Sequence, residues 1–139
     1  MELLYTDLNG RQAYLTNKEV SWFKYIRDIC REAAEIRLPI EPHNHEKLKG
    51  KSREALAFIA TDNKNDPLSG DTYISVDTYF IHECYAELYE GEPNLAFITM
   101  EEVLSHEFAH CFQWRHCKRH ERLTQQFHLK IKEYIAKQE

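Results

Sequence analysis

The residues of this chain best suited to chemistry are two histidines four positions apart, in the sequence His106-Glu107-Phe108-Ala109-His110. On an α-helix, side chains at positions i and i+4 lie on one face, a turn apart, so both imidazoles can reach a single ion. A glutamate beside such a pair can take a proton from a water molecule that the ion activates. The HExxH pattern therefore predicts a Zn²⁺ site at His106 and His110, with Glu107 as the general base of a hydrolytic reaction.

A helix start signal precedes this motif. In Thr99-Met100-Glu101-Glu102, the threonine hydroxyl can accept a hydrogen bond from the amide of Glu102, and the acidic residues favour the positive end of a helix. We therefore predict that a helix begins after Thr99 and carries the motif, which gives the two histidines their shared face.

A third ligand is expected, because catalytic zinc sites usually have three protein ligands and one open position. His116 lies six residues beyond His110, and His120 lies ten residues beyond it, on the apolar face of an amphipathic C-terminal segment. A carboxylate such as Glu133 is a further candidate, although it falls opposite that apolar face. The spacing leaves His116, His120 and a carboxylate open.

The segment from His106 to His116 resembles the metzincin pattern HExxHxxGxxH, with Gln113 at the glycine position. In that family the glycine lets the chain turn sharply and return the third histidine to the metal. Gln113 therefore predicts either a strained backbone or a helix that runs on. If the helix runs on, His116 points about 120° away from His110 and cannot bind the same ion.

The arrangement with His120 resembles the SprT-like and WLM zinc peptidases, in which HExxH is followed by a short connection and a histidine that opens a final amphipathic helix. Trp114, four residues beyond His110, is similar to a tryptophan of some SprT-like members. The upstream order of strand, helix and motif helix is similar too. The resemblance covers about residues 70 to 135.

Two positions depart from the SprT-like pattern, in which a glycine follows the third histidine and an aromatic residue comes four positions after it. Glu121 follows His120 here, and Thr124 occupies the later place. WLM members place their histidine nearer the spacing of His116. The resemblance therefore leaves the choice between His116 and His120 open.

The resemblance implies a zinc-dependent endopeptidase that acts on a protein or peptide substrate. An extended substrate is expected to lie along an exposed strand edge, for which Thr72–Val76 is the candidate. The alternatives are a catalytically inactive zinc-binding adaptor and a helical interaction module whose histidines are incidental.

The remaining elements predict an α+β domain. Helices pack on a small, mainly antiparallel sheet in a zincin-like arrangement, with a mostly α fold as the second choice. The sequence predicts a hairpin of Leu3–Thr6 and Gln12–Leu15 about Asn9-Gly10, a helix from the capping box at Thr16 to Leu38, strands at Ala55–Thr61 and Thr72–Val76, a helix over Asp77–Tyr89, the motif helix, and a C-terminal helix.

Composition indicates one folded domain over residues 1–139. Hydrophobic residues make up 42% of the chain, enough for a packed core. No stretch approaches the roughly 18 apolar residues of a membrane span, and no signal peptide is evident, so we expect no membrane contact and a cytoplasmic location. The four cysteines lack paired spacing and are expected to be reduced.

The net charge of −5 argues against a general nucleic-acid-binding protein. The segment from Cys111 to Glu139 nevertheless has seven Lys/Arg against three Glu, a net charge of +4. A solvated helix face explains this segment, with weak contact to DNA or another polyanion as the alternative. SprT-like relatives act on DNA-bound proteins, which is compatible with the second interpretation.

Three further groups receive structural interpretations. His43 and His45 are expected in a loop, and His82-Glu83 is expected to be a surface pair on a helix. Cys111 is expected to pack between helices, because thiolate ligands would form a closed structural zinc site.

Overall fold

The structure, a computed structural model, describes residues 2–6, 12–48, 50–91 and 98–138. Within these ranges the chain forms four α-helices, a β-hairpin and a three-stranded mixed sheet, which confirms the α+β class. The helices are α1 (Asn17–Ala34), α2 (Thr78–Glu90), α3 (Met100–His110) and α4 (Lys118–Gln138), and the strands are β1 (Glu2–Thr6), β2 (Gln12–Thr16), β3 (Ile40–His43), β4 (Ala57–Thr61) and β5 (Thr72–Asp77).

The predicted hairpin is present as antiparallel β1 and β2, in which Glu2 pairs with Thr16 and Thr6 with Gln12. Its expected Asn9-Gly10 turn lies outside the described residues. The larger sheet has the order β3-β5-β4, with β5 antiparallel to β4 and parallel to β3. The strand at Thr72–Asp77 is therefore the central strand of this sheet.

Strand β3 was not predicted, because its sequence Ile40-Glu41-Pro42-His43 is short, interrupted by proline and without a clear alternation. Its pairing with β5 is distant in sequence and parallel, so no local turn signal marks it. Pro42 is tolerated because β3 lies at an edge of the described sheet, where a missing ladder donor costs little.

Helix α1 begins at the predicted capping box: Thr16 Oγ1 accepts from the Glu19 amide at 3.1 Å, and the Thr16 amide donates to Glu19 Oε1 at 2.9 Å. The helix ends at Ala34, earlier than the expected Leu38. Glu35 adopts a left-handed conformation with φ of 57°, and this terminates the helix before Pro39 is reached.

Glu19 also joins two helices. It is only 3% exposed, and its second carboxylate oxygen accepts from Nδ1 of His82 on α2. The surface histidine expected at position 82 therefore has a specific partner. Burial acts to raise the pKa of Glu19, but hydrogen bonds from the Thr16 backbone and from His82 outweigh it, and the pKa lies below its ordinary value of 4.5.

Glu19→Gln is expected to lower the free energy of unfolding by about 1–2 kcal/mol at pH 7, since it removes a buried charged acceptor from a capping box. Because the folded-state pKa is lowered, this contribution is present above the unfolded-state pKa and is lost as pH falls through the folded-state value. Urea unfolding at pH 7 and at pH 3 checks this, with exposed Glu87→Gln as control. Equal losses at both pH values would contradict the role of the charge.

Helix α3 lies at the centre of the domain and packs against α1, α4 and β4. Leu104 and Phe108 on this helix are fully buried, and the Phe108 ring contacts Phe127 of α4 edge-on with centroids 5.9 Å apart. Truncating such a buried aromatic side chain typically costs about 3–5 kcal/mol. The packing therefore fixes the helix that carries the HExxH motif against the first half of α4.

None of the helices in the described ranges has the length and apolarity needed to cross a bilayer. All four cysteines are free thiols, as expected; Cys30, Cys84 and Cys111 are buried, whereas Cys117 is exposed.

Candidate metal centre

The HExxH motif forms the last part of α3, as the sequence predicts. Thr99 caps the helix by accepting from the Glu102 amide at 3.2 Å, and the helix continues without interruption to His110. His106 and His110 consequently share a face, with their ring centroids 4.9 Å apart.

The chain leaves the helix directly after His110, so neither consequence expected for Gln113 occurs. The Gln113 amide still donates to the Ala109 carbonyl at 2.9 Å, but the helix does not run on. The backbone at Gln113 is not strained either, because Glu35 is the one described non-glycine residue with positive φ. Gln113 Oε1 accepts from Arg119 at 3.0 Å, which ties the connection between α3 and α4 to the start of α4.

This connection brings four histidines together: His106, His110, His116 and His120. One potential ligand atom of each lies within 4.8 Å of the others, so the cluster could hold a metal ion. The six distances between ring centroids range from 4.2 to 5.1 Å. Both histidines considered for the third position thus join the cluster, whereas Glu133 lies exposed and outside it.

Three of the four rings are carried by helices and one is not. His120 is in the first turn of α4 and 3% exposed, and its Nε2 lies 3.0 Å from the carbonyl oxygen of His106. If Nε2 donates there, Nδ1 is the lone-pair nitrogen, the arrangement by which metal-binding histidines are usually oriented. His116 lies on the connection, is exposed, and places its Nε2 3.1 Å from Nε2 of His106.

The environment favours the neutral form of three of the clustered imidazoles, those of His106, His110 and His120. Burial, together with the neighbouring histidines, lowers the pKa of His106 and of His110 to about 4. Burial also lowers the pKa of His120. Neutral imidazole is the form that binds a metal ion, so these three rings are suited to binding one.

The donor atoms of the four rings fit a metal ion. Each ring offers one nitrogen, and these atoms lie within 4.8 Å of one another. Nε2 of His106 and Nε2 of His116 are 3.1 Å apart. Tetrahedral sites with Zn–N distances of about 2.0–2.1 Å place ligand nitrogens roughly 3.3 Å apart, so the set is compatible with an ion of this size.

Glu107 lies beside the cluster and is 5% exposed. Burial raises the pKa of its carboxyl group to about 8. A carboxylate in such surroundings has a higher proton affinity than one in water, which suits it to general base catalysis near neutral pH.

Two grooves open onto the histidine cluster. The strand-side groove, of about 570 Å³, lies between β4 and α3 and includes Phe58, Ile59, Glu107 and His110 in its lining. The helix-side groove, of about 520 Å³, lies along the start of α4 and is lined by His106, His116, Cys117, Lys118, His120, Glu121, Thr124 and Gln125. His106 and His116 line both grooves.

The prediction that Thr72–Val76 offers an exposed strand edge to a substrate is wrong. Thr72–Val76 belongs to β5, which is paired on both sides. The strand with one side unpaired within the described sheet and next to the cluster is β4. The sequence predicts both β4 and β5 but not β3. Because β3 pairs with β5, β5 is the central strand and β4 lies at the edge.

His43 and His45 are not the loop residues that the sequence suggested. His43 is on β3 with its Nδ1 bonded to the Ser75 hydroxyl, and His45 follows with its Nε2 2.7 Å from that hydroxyl and its Nδ1 2.6 Å from the Ala55 carbonyl. Both rings are at most 1% exposed. They connect β3 and the short 3-10 helix that follows it to Ser75 of β5, and neither is part of the four-histidine cluster.

The cysteines near the motif are not part of the four-histidine cluster. Cys111 is buried in the core, as expected, and burial raises the pKa of its thiol to about 12. A thiol with this pKa is protonated at pH 7 and is a poor ligand.

Comparisons of the chain with protein-family models, with curated proteins and with solved structures found no match.

Proposed function

We propose that this chain is a zinc-dependent endopeptidase, in which His106, His110 and His120 hold the ion and Glu107 is the general base. The observation that carries the proposal is the convergence of the two HExxH histidines with a histidine of α4, beside a buried carboxyl group and an open groove. The resemblance of the motif to the SprT-like and WLM peptidases supports the same function.

His120 is the best candidate for the third ligand because its position is fixed by its surroundings. It is carried by a helix, buried, and oriented by the carbonyl of His106, with its ring centroid 4.4 Å from that of His106 and 4.2 Å from that of His110. A ligand held in place before binding loses little conformational freedom when the ion arrives.

A zinc ion held by these rings would supply Lewis acidity toward a water molecule and toward the carbonyl oxygen of the scissile bond. Glu107 would take a proton from that water and pass it to the leaving amine nitrogen. Its raised pKa favours holding the proton between these two transfers. The strand-side groove gives the carboxyl group access to substrate.

The edge of β4 is the proposed place for the substrate backbone. Ala57, Phe58 and Ile59 of this strand line the groove that contains Glu107 and His110. An extended peptide could add to this edge through main-chain hydrogen bonds, which select for an unfolded segment more than for particular side chains.

We expect the purified protein to contain about one zinc ion per chain and to cleave an unfolded polypeptide more readily than a folded one. Removal of metal by a chelator should abolish cleavage, and added Zn²⁺ should restore it. Elemental mass spectrometry and gel-based cleavage of an unfolded test protein measure both. Cleavage that persists in metal-free protein would overturn the proposal.

A non-catalytic zinc-binding adaptor is the second candidate, and the fourth histidine favours it, because four nitrogen ligands can close a tetrahedral site. This candidate predicts stable zinc without cleavage of any unfolded substrate. A helical interaction module would retain no zinc after dialysis.

Contact with a polyanion remains a prediction. The basic residues of the C-terminal segment are all exposed, and they are Arg115, Lys118, Arg119, Arg122, Lys130, Lys132 and Lys137. Binding of DNA through them would weaken steeply with salt.

The cytoplasmic location expected from the sequence is likewise a prediction.

A further inference from the structure

We propose that His116 is a replaceable fourth ligand, which closes the coordination of the ion at rest and must leave before a water molecule and a substrate can enter. This inference rests on the proposed function, because it concerns regulation of the same zinc site. It makes the connection between α3 and α4 the element that opens and closes the site.

The arrangement of the rings is that of four ligands rather than three. All six centroid distances fall between 4.2 and 5.1 Å, so each ring is next to the other three around one shared centre. The His116 and His106 Nε2 atoms are 3.1 Å apart, close to the roughly 3.3 Å between nitrogens of a tetrahedral zinc site. His116 can therefore occupy the position that a catalytic site leaves open.

His116 is also the ring that can be displaced at least cost. His106, His110 and His120 are on helices and their centroids lie 4.2 to 4.9 Å apart, whereas those of His116 lie 4.7 to 5.1 Å from theirs. His116 is exposed and belongs to a stretch without regular secondary structure. Its ring can move toward solvent, whereas the rings of His110 and His120 are buried and would have to displace their neighbours.

The position of His116 connects its movement to substrate access. It lines both grooves together with His106, which is carried by α3. Displacement of the His116 ring would free one ligand position at the place where both grooves reach the cluster.

The test compares the parent with His116→Ala, and His128→Ala is the control, because His128 is a half-buried histidine of α4 outside the cluster. Zinc-edge X-ray absorption counts imidazole ligands, and the visible spectrum of the Co²⁺-substituted protein reports binding of acetohydroxamate. We expect four imidazoles in the parent and in the control, and three in His116→Ala. Acetohydroxamate should bind His116→Ala at least about tenfold more tightly than the parent, because no ring competes for the position.

Three imidazoles in both the parent and His116→Ala would overturn the fourth-ligand proposal and leave the zinc peptidase intact. Complete loss of zinc from His116→Ala, with a circular dichroism spectrum like that of the parent, would overturn it as well, because His116 would then be indispensable. Absence of zinc from the reconstituted parent would overturn both this proposal and the proposed function.

Discussion

Glu107→Gln is expected to retain about one zinc ion per chain and to lose peptide hydrolysis by roughly 10²–10⁴-fold, the usual contribution of a general base. The amide has nearly the same shape as the carboxyl group but cannot take a proton from water. The three proposed ligands are untouched, so metal content and catalysis should separate in this variant.

The change at position 107 should not unfold the protein. Burial disfavours the charged form of Glu107 and raises its pKa to about 8, so a neutral amide suits the same surroundings. Glu102→Gln, on the same helix but away from the cluster, is the matched control and should cleave like the parent. Cleavage by Glu107→Gln at the parental rate would exclude Glu107 as the base, whereas loss of zinc would give it a structural role.

The double variant His106→Ala/His110→Ala is expected to bind no zinc at micromolar concentration. It removes the two ligands that α3 holds in place and leaves at most His116 and His120. Structural zinc sites contribute on the order of 10 kcal/mol or more of binding free energy, which two ligands cannot provide. Peptide hydrolysis should disappear together with the metal.

The loss of zinc should also appear as a loss of ligand-dependent stability. A metal that binds only the folded state at a free concentration a thousand times its Kd stabilises that state by about 4 kcal/mol. Added zinc should therefore raise the melting temperature of the parent and of the control His128→Ala, but not that of the double variant. A melting temperature of the double variant that rises as much as that of the parent would place the ion elsewhere in the chain.

Local patterns predicted much of the fold. The predicted helix caps at Thr16 and Thr99 both mark real helix starts, because their hydrogen bonds join residues three apart and require only the local backbone. The two strands of the antiparallel pair β4 and β5 are also predicted from local signals, namely their apolar and β-branched residues and the turn-rich segment that joins them. Strand β3 was missed because its parallel partner is more than 30 residues away and no turn links them.

The third ligand shows where local reasoning ends. The sequence left His116, His120 and a carboxylate such as Glu133 open, and Gln113 predicted either a strained backbone or a helix that runs on. In the structure neither consequence occurs: the helix ends at His110 and an ordinary backbone leads to α4, an arrangement similar to the short connection that the SprT-like resemblance implied for His120. The bond from Arg119 to Gln113 accompanies this connection, and nothing in the spacing of the histidines indicates it.

The sequence by itself determined the pair His106 and His110 and the glutamate between them, because the 3.6-residue period of a helix sets their geometry without help from the rest of the chain. Only the tertiary structure decided that both His116 and His120 reach this pair, and that β4 rather than β5 borders it. Those positions depend on how α4 packs against α3 and on which strands pair, and such contacts join residues whose separation in sequence carries no periodic signal.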